Sequence, residues 1–278
     1  MNIHFNTMLK NEEDLLEEVL PIWKTYPVEK FVFYNDNSTD SSVDVINKHL
    51  SKDRVIILND KLDSFNESHN RSRMLEYSRE NNSDYVFTID CDEILSANFN
   101  GIFEEILENY KHYNFMLYWF NVVNDTLALY RTDPAYKNNY RVFILPMKYT
   151  GKFDLTMWQY HVPRTPPVAM PLSKTDEIGI IHLQSMNSKY YVIKQLWYKH
   201  FEFVNYNYSE EIINSKYDPV VNGLNFHEMK TPPEIIGNIK IDHSIFDRMA
   251  IKKGYLDFIK THYNEKLVTF GKEYLDDL

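Results

Sequence analysis

The chain of 278 residues contains one cysteine and seven glycines. With Cys91 alone no disulfide can form within the chain, and a reducing, cytoplasmic location is expected. No uninterrupted apolar run approaches 18 residues, and no basic segment followed by an apolar one opens the sequence. We therefore expect neither a transmembrane segment nor a secretory signal, while peripheral contact with a membrane stays open.

Two further shortages exclude classes of binding protein. No Gly-x-Gly-x-x-Gly and no P-loop follows any predicted strand, so a dinucleotide-binding domain loses its main physical support, the close approach of backbone to pyrophosphate. Basic residues are also outnumbered, since 30 Lys and Arg residues stand against 40 Asp and Glu residues and the formal net charge is -10. A nonspecific nucleic-acid binder needs a basic surface, so no nucleic-acid partner is expected.

The most informative feature present is an apolar strand, residues 85–89, that leads into Asp90-Cys91-Asp92-Glu93. In extended backbone Asp90 and Asp92 project to the same side, and Cys91 turns to the other as a small buried residue. Two acids on one face suit Mg²⁺ or Mn²⁺, which take oxygen ligands and share them with substrate phosphates. The alternative is a pair of solvated acids in a strand-to-helix turn.

The order of the predicted elements indicates an α/β protein. Strands alternate with helices over the first 110 residues, which is typical of a parallel or mostly parallel sheet covered on both faces. Longer, irregular connections follow residue 112, and the chain is mainly helical from Asn187 onward. The predicted strands are Ile3 to Leu9, Lys30 to Tyr34, Val55 to Leu58, Tyr85 to Ile89, Phe115 to Val122, Tyr140 to Leu145 and Ile178 to Leu183.

Several motifs in order resemble the nucleotide-sugar glycosyltransferases of the GT-A fold, most closely the family 2-like group. The resemblance covers about residues 2 to 200 and rests on order and spacing. The motifs are Met8-Leu9-Lys10-Asn11-Glu12-Glu13, Tyr34-Asn35-Asp36-Asn37-Ser38-Thr39-Asp40-Ser41-Ser42, Ile89-Asp90-Cys91-Asp92-Glu93-Ile94-Leu95, Tyr140-Arg141-Val142-Phe143 and Tyr149-Thr150-Gly151.

The resemblance implies a Rossmann-like, mostly parallel sheet flanked by helices, with a mainly helical C-terminal region. Residues 1–186 would form the GT-A catalytic domain, divided into a nucleotide-binding half at 1–112 and an acceptor half at 113–186. Residues 187–278 would form a helical extension.

The resemblance also implies roles for individual acids. Asp36 would contact the nucleoside, with Asp40 nearby, although both are residue types that commonly cap helices and fix turns. Asp90 would face ribose or sugar and share in the metal site, and Asp92 would bind Mn²⁺ or Mg²⁺. His182 would complete the metal or diphosphate site, unless it is a satisfied core histidine.

Four basic residues and one tryptophan also receive assignments. Arg71 and Arg73 would bind the diphosphate, or else form a solvated helix face. Trp158 is the preferred aromatic residue for stacking on a sugar ring, since its loop is rich in polar residues. Lys194 and Lys199 are expected to be surface charges.

The general base is uncertain, because this chain lacks the His-Glu pair that relatives carry after the Tyr-x-Gly motif. Asp154 stands at that spacing and is the first candidate, followed by His161. Asp176 and Glu177 lie in the same region. A retaining reaction would need no such dedicated base, so this point applies to the inverting reaction that we expect.

The expected activity is metal-dependent hexosyl or pentosyl transfer from a nucleotide diphosphate donor, a UDP-sugar, to a glycan or glycolipid hydroxyl in glycan biosynthesis. One alternative is a sugar-phosphate nucleotidyltransferase, but such an enzyme would want a Gly-rich, basic loop where this chain has acidic residues 11–14. The other alternative is a catalytically silent sugar-binding protein with the same fold.

Overall fold

The computed structural model describes residues 1–60, 66–110, 114–123, 127–132, 139–153, 163–167, 169, 171–222, 228–252 and 254–275. The chain divides into two compact units. Unit 1 comprises Met1–Trp119 and Tyr140–Ile181, and unit 2 comprises Phe120–Asn139 and His182–Leu278. Residues 120–139, which the sequence assigned to the acceptor half, thus group with the C-terminal region.

The first part of unit 1 alternates strands with helices, as the sequence predicted. Polar turns separate the strands, and α1 buries an apolar stripe, whereas most of the buried residues of α3 are polar. The elements are β1 (Ile3–Leu9), α1 (Glu13–Trp23), β2 (Lys30–Asn35), α2 (Ser42–His49), β3 (Val55–Leu58), α3 (Glu67–Glu80), β4 (Tyr85–Thr88), β5 (Glu93–Leu95) and α4 (Phe99–Tyr110).

An eight-stranded sheet runs through this unit, with the order β3-β2-β1-β4, then β8 (Tyr140–Pro146), β6 (Asn114–Asn121), β9 (Leu172–His182) and β5. The strands β3, β2, β1 and β4 pair in parallel, whereas β8 pairs antiparallel with both β4 and β6. The expected α/β class, with helices flanking the sheet, is confirmed.

The register of the parallel strands places their carboxyl ends together. Leu9 pairs with Asn35 and Tyr34 pairs with Leu58, while Asn6 pairs with Thr88. Ligands of open α/β sheets bind outside this edge, where the turns after the strands meet. The residues that follow β1, β2, β3 and β4 are therefore brought close to one another.

Aromatic side chains fill the core beneath this edge. The ring centroids of Phe5 and Trp23 are 4.9 Å apart, and those of Phe87 and Phe143 are also 4.9 Å apart. Such pairs add packing energy to the burial of their large apolar area. The predicted stripe of α1 is buried as expected and consists of Leu15, Leu16, Val19, Leu20 and Trp23.

Unit 2 is mainly helical. The helix α5 (Ser188–Tyr206) begins after Asn187, whose Oδ1 accepts a hydrogen bond of 2.8 Å from the Tyr190 amide and so caps the helix. A core cluster forms around it from Tyr191, Val192, Leu196, Val221, Ile259 and Leu275. The remaining elements are a two-stranded sheet of β7 (Leu129–Arg131) and β10 (Glu228–Lys230), and the helices α6 (Glu210–Asn222), α7 (Pro233–Ile236), α8 (Ile245–Lys252) and α9 (Tyr255–Thr261).

One expectation about α5 is wrong. Lys199 is not a surface charge, because its side chain has no exposed area. Its Nζ donates to Asp218 Oδ1 and Thr269 Oγ1, both at 2.7 Å, and lies 4.7 Å from the centroid of the Phe270 ring. The buried ammonium is thus stabilised by partners that come from distant parts of the chain.

Of the helices that the structure describes, none combines the length and the apolar character needed to cross a bilayer.

Candidate active site

Two turns meet at the carboxyl ends of β1 and β2. These paired turns, residues 10–13 and 36–42, are joined through side chains that accept from backbone amides across the gap. Asn11 and Asn37 take positive φ angles of 54° and 55°, which asparagine tolerates better than most residues. The joining hydrogen bonds run from the Thr39 amide to Asn11 Oδ1 (2.8 Å), the Asn11 amide to Ser38 Oγ (3.0 Å), the Glu12 amide to Ser42 Oγ (2.8 Å) and the Ser41 amide to Glu13 Oε2 (2.8 Å).

Asp36 and Asp40 have different surroundings in these turns. Asp36 is buried, and its Oδ2 lies 3.2 Å from Nζ of Lys10, whose side chain is half-exposed. The oxygens of Asp40 accept from the amides of Glu13 (3.1 Å) and Ser42 (3.0 Å) and from the Ser42 hydroxyl (2.6 Å). Asp40 therefore fixes the paired turns, in line with its alternative as a turn residue, and contact of Asp36 with a nucleoside stays a prediction.

Asp60, two residues after β3, lies at the same edge of the sheet and was not among the residues predicted from the sequence. Its Oδ2 accepts from Arg73 Nε and pairs with His69 Nε2, each at 2.9 Å, and lies 3.5 Å from the Tyr34 hydroxyl. The hydrogen bond from His69 and then that from Arg73 lower the pKa of Asp60, while burial and the nearby Asp60 charge raise the pKa of Tyr34 to about 12. The signal was available, since Asp60 follows its strand as Asp36 and Asp90 follow theirs.

The segment after β4 differs from the predicted extended strand. The strand ends at Thr88, and a turn at residues 91–92 leads into β5 at Glu93. The Glu93 amide donates to the Asp90 carbonyl at 3.1 Å, and the Asp90 amide donates to Glu93 Oε2 at 2.9 Å. This local turn, rather than strand alternation, sets the directions of Asp90 and Asp92. Cys91 is buried as expected, and its thiol donates to the Met8 carbonyl at 3.2 Å.

Two arginines hold the first acid of this turn. Arg164 donates to Asp90 Oδ2 at 2.7 Å and to both oxygens of Glu93 at 2.6 Å, and Arg71 donates to Asp90 Oδ1 at 3.2 Å. Arg71 also pairs with Glu67 at 2.7 Å, one helical turn earlier in α3. We call Glu67, Arg71, Asp90, Asp92, Glu93 and Arg164 the Asp90 cluster.

Burial and charge oppose each other in this cluster. Burial alone would raise the pKa of Asp90, but the charges of Arg164 and then Arg71 outweigh it and lower that pKa. Burial would likewise lower the pKa of Arg164, whereas the charges of Asp90 and Glu93 raise it. The charges therefore favour the ionised forms of Asp90 and Arg164 against the effect of burial.

Arg71 and Arg73, both predicted to bind the diphosphate, have different surroundings. The side chain of Arg71 is 4% exposed, and its Nη1 is buried with no hydrogen-bond partner among the described residues. A small cavity of about 10 Å³, enough for one water molecule, is lined by both Arg71 and Arg164. Arg73 is more exposed and pairs with Asp60 and Glu76. Their contact with a diphosphate stays a prediction.

Trp119 contributes to the wall of the cluster. Its Nε1 donates to Glu93 Oε1 at 2.7 Å, and the guanidinium groups of Arg141 and Arg164 lie 4.9 and 5.6 Å from its ring centroid. The face of an aromatic ring attracts cations at such distances.

The predicted metal ligands fit a divalent ion held by few protein groups. Within the described ranges, no three His, Cys, Asp or Glu side chains are placed to hold a metal together. Asp92 is half-buried beside Asp90, and its charge raises the pKa of Asp90. Mg²⁺ and Mn²⁺ are often bound through one or two carboxylates together with substrate phosphates. The Asp92 carboxylate has the chemistry for such a site.

The other predicted residues are placed as follows. His182 belongs to unit 2, where its Nδ1 lies 2.7 Å from Asn121 Oδ1. Its role toward a metal or diphosphate stays a prediction. Asp154, Trp158 and His161 lie outside the described residues. Asp176 accepts a hydrogen bond from the Tyr140 hydroxyl.

Comparisons with known proteins give one family match. A family model described as glycosyl transferase family 2 matches residues 7–166. The matched span includes the paired turns, Asp60 and the whole Asp90 cluster. No curated protein matches the chain.

Several solved structures resemble the chain at low sequence identity. A crystal structure of S. aureus TarS is 12% identical, with 96% of this chain and 50% of that chain covered and a TM-score of 0.49. The chain thus spans about half the length of that TarS chain. A structure of GalNAc-T7 with UDP, GalNAc and Mn²⁺ is 13% identical over 95% of this chain and 58% of that chain, also with a TM-score of 0.49. A structure of TarS 1–349 with UDP-GlcNAc is 14% identical over 96% of this chain and 83% of that chain, with a TM-score of 0.41.

Proposed function

Because the chain belongs to glycosyl transferase family 2, we propose that it transfers a sugar from a nucleotide diphosphate donor to a hydroxyl group. The α/β sheet with flanking helices is the GT-A type of fold expected for such a protein. The proposed donor is a UDP-sugar, and the proposed acceptor is a glycan or glycolipid. A cytoplasmic location stays a prediction from the single cysteine.

One observation carries this proposal. The family match spans the turn after β2 and the turn after β4, and the parallel register of β2, β1 and β4 places both turns at one edge of the sheet. Asp36 is buried in the first turn, and Asp90 and Asp92 lie in the second. A donor that extends along this edge would meet Asp36 at its nucleoside end and Asp90 nearer its sugar.

We propose that Asp92 holds Mn²⁺ or Mg²⁺, with Asp90 beside it. A bound divalent ion supplies Lewis acidity to the leaving diphosphate. The protein's own contribution is to keep Asp90 ionised and oriented, through Arg71 and Arg164 and through the Glu93 turn. His182 stays a proposed further ligand.

The chemistry at the acceptor rests on residues outside the described ranges. For inversion at the anomeric carbon, a base within hydrogen-bond reach must remove the acceptor's proton. Asp154 is the first proposed base and His161 the second, with Trp158 proposed to stack on a sugar ring.

A panel of nucleotide sugars tests the proposal by thermal shift and by product release. A donor that binds only the native state raises the melting temperature according to its concentration and affinity. We expect a UDP-sugar with Mn²⁺ to raise the melting temperature and to release free UDP slowly. Release of pyrophosphate from a nucleoside triphosphate and a sugar phosphate would instead support nucleotidyl transfer. If the chain shows neither activity but still binds sugars, it is a silent sugar-binding protein.

A further inference from the structure

Arg164 occupies a position that the sequence reasoning did not identify as functional. It lies in the short segment 163–167, between Pro163 and Pro166, and its guanidinium reaches the turn after β4. Three hydrogen bonds of 2.6 to 2.7 Å join it to Asp90 and Glu93. The contacts place a positive charge directly beside the proposed metal and diphosphate site.

The Asp90 cluster has an excess of negative charge that would favour binding of a further cation. Two guanidinium groups face four carboxylates, so the cluster keeps two formal negative charges. A divalent ion at Asp92 would cancel that excess. The same ion would repel the guanidinium of Arg164 and weaken its attraction to Asp90, because both cations would lie within a few ångströms of one carboxylate.

The carboxylates remain hydrogen-bonded if Arg164 leaves them. Asp90 Oδ1 would still accept from Arg71, which is itself anchored to Glu67. Glu93 would still accept from the Trp119 indole at 2.7 Å and from the Asp90 amide at 2.9 Å. Departure of Arg164 therefore leaves no buried acid without a donor, which is the usual penalty for breaking such a pair.

The two arginines differ in how freely they can move. Arg71 projects from α3, is 4% exposed and is paired one helical turn away with Glu67. Arg164 projects from a connecting segment rather than from a helix, and its side chain is 14% exposed. A guanidinium fork binds phosphate oxygens as well as it binds a carboxylate. Arg164 is thus the cation of the pair that is suited to exchange partners.

We propose that Arg164 is a diphosphate-binding residue that is stored on Asp90 and Glu93 until the donor arrives. When metal and donor bind, its guanidinium exchanges the two carboxylates for oxygens of the diphosphate, while Arg71 stays on Asp90. This inference rests on the proposed function and adds that the metal and the nucleotide bind cooperatively. Metal alone competes with Arg164 and binds weakly, whereas metal together with the nucleotide binds well.

Titration calorimetry with two probes tests this exchange, namely Mn²⁺ alone and UDP in the presence of Mn²⁺. Arg164→Gln should bind Mn²⁺ alone at least about five-fold more tightly, because a competing cation is gone. The same variant should bind UDP with Mn²⁺ about 10- to 100-fold more weakly, because charge-assisted hydrogen bonds to the diphosphate are lost. Tighter binding of Mn²⁺ alone together with weaker binding of UDP is the result that a partner exchange predicts.

Arg54→Gln is the matched control, since it removes the same charge from an arginine that donates to backbone carbonyls of Lys24, Tyr26 and Val28. Both affinities should stay within about two-fold of those of the unchanged protein, because these carbonyls lie at the opposite edge of the sheet. Melting curves establish that each variant is folded.

The outcomes separate the inference from the proposed function. If the unchanged protein binds no UDP with Mn²⁺, the proposed function fails and this inference with it. If it binds UDP but Arg164→Gln changes neither affinity, or lowers both, the exchange alone is overturned. If Arg164→Gln does not fold, Arg164→Lys takes its place: it keeps the charge but loses the fork, and it should weaken UDP binding about ten-fold with Mn²⁺ binding unchanged. Failure of both variants to fold would make Arg164 a structural residue and overturn the proposal.

Discussion

The indole nitrogen of Trp119 donates a 2.7 Å hydrogen bond to Glu93, a carboxylate with no exposed side-chain surface. Among the described residues, Arg164 and the Asp90 amide also donate to this acid. Glu93 is therefore a buried carboxylate that accepts hydrogen bonds from three different residues. This arrangement links the turn that carries the proposed metal ligand to the sheet below it.

A double-mutant cycle should detect the strength of the pair between Glu93 and Arg164. Glu93→Gln alone should lower the free energy of unfolding by about 3–5 kcal/mol, because it removes one of the two carboxylates that balance the buried Arg164 charge. The double variant Glu93→Gln/Arg164→Gln should lose at least about 2 kcal/mol less than the sum of the single losses. Urea denaturation measures all three. Additive losses would show that the two side chains are not energetically coupled.

Asp92→Ala should abolish metal-dependent binding of UDP while leaving the fold intact. Asp92 is half-buried in a turn, and its neighbour Asp90 is held by Arg71 and Arg164. We expect binding by calorimetry to fall below detection and the melting temperature to stay within about 4 °C, the shift for a loss near 1 kcal/mol. The control is Asp44→Ala, which removes an exposed acid from α2. Undiminished metal-stimulated binding of UDP would remove Asp92 from the mechanism.

His4 should make the protein less stable as the pH falls below neutral. Burial, followed by the charge of Lys30, lowers the pKa of His4 from 6.5 to about 4. Between these values the unfolded chain binds a proton that the folded chain does not, so stability is full above pH 6.5 and falls as the pH drops toward 4. The loss amounts to at most about 3 kcal/mol. Urea denaturation at several pH values measures this slope, and His4→Phe should flatten it. An unchanged slope in that variant would exclude His4 as its source.

Much of the fold could be predicted from local patterns. The bounds of β1 and β3 agree with the structure. β3 is an apolar run and β1 mixes apolar with polar residues, and turn-forming polar residues follow both strands. The acids after β2 and β4 were found in the same way, since a polar residue directly after a buried strand lies at the ligand-binding edge.

Other features depend on contacts between distant residues and could not be found by pattern. Arg164 pairs with Asp90 across 74 positions of sequence, and no periodicity connects them. Lys199 looked like a surface charge because buried lysines are rare unless paired, and its partners Asp218 and Thr269 lie in other elements. The turn at Asp90 was interpreted as strand because the apolar run before it gave no sign of where the pairing ends.

The pair between Lys199 and Asp218 should respond unequally to loss of either partner. Lys199 is fully buried, whereas the side chain of Asp218 keeps 27% of its exposure and can be solvated. Lys199→Met should therefore change the free energy of unfolding by about 1 kcal/mol or less, and Asp218→Asn should lower it by about 3–5 kcal/mol. Chemical denaturation compares the two. Equal losses would mean that water reaches the lysine as readily as the acid.

Gly271→Ala should destabilise unit 2. Gly271 has a φ of 66°, and an added Cβ would collide with Val192 and approach Leu196 on α5. The left-handed backbone and the overpacking together should lower the free energy of unfolding by about 2–4 kcal/mol. Gly101→Ala is the matched control, because a Cβ there meets no atom within 4 Å, and in α4 it should raise stability by about 0.5–1 kcal/mol. A loss of similar size at both positions would contradict the steric explanation.

The paired turns have a consequence for exchanging loops between relatives. Each turn supplies the side-chain acceptors that satisfy the other's amides, through Asn11 and Glu13 on one side and Ser38, Asp40 and Ser42 on the other. Lengthening or replacing one turn by itself would leave backbone amides of the other turn without hydrogen-bond acceptors. A chimaera that imports a new turn after β2 therefore has to import residues 10–13 and 36–42 together.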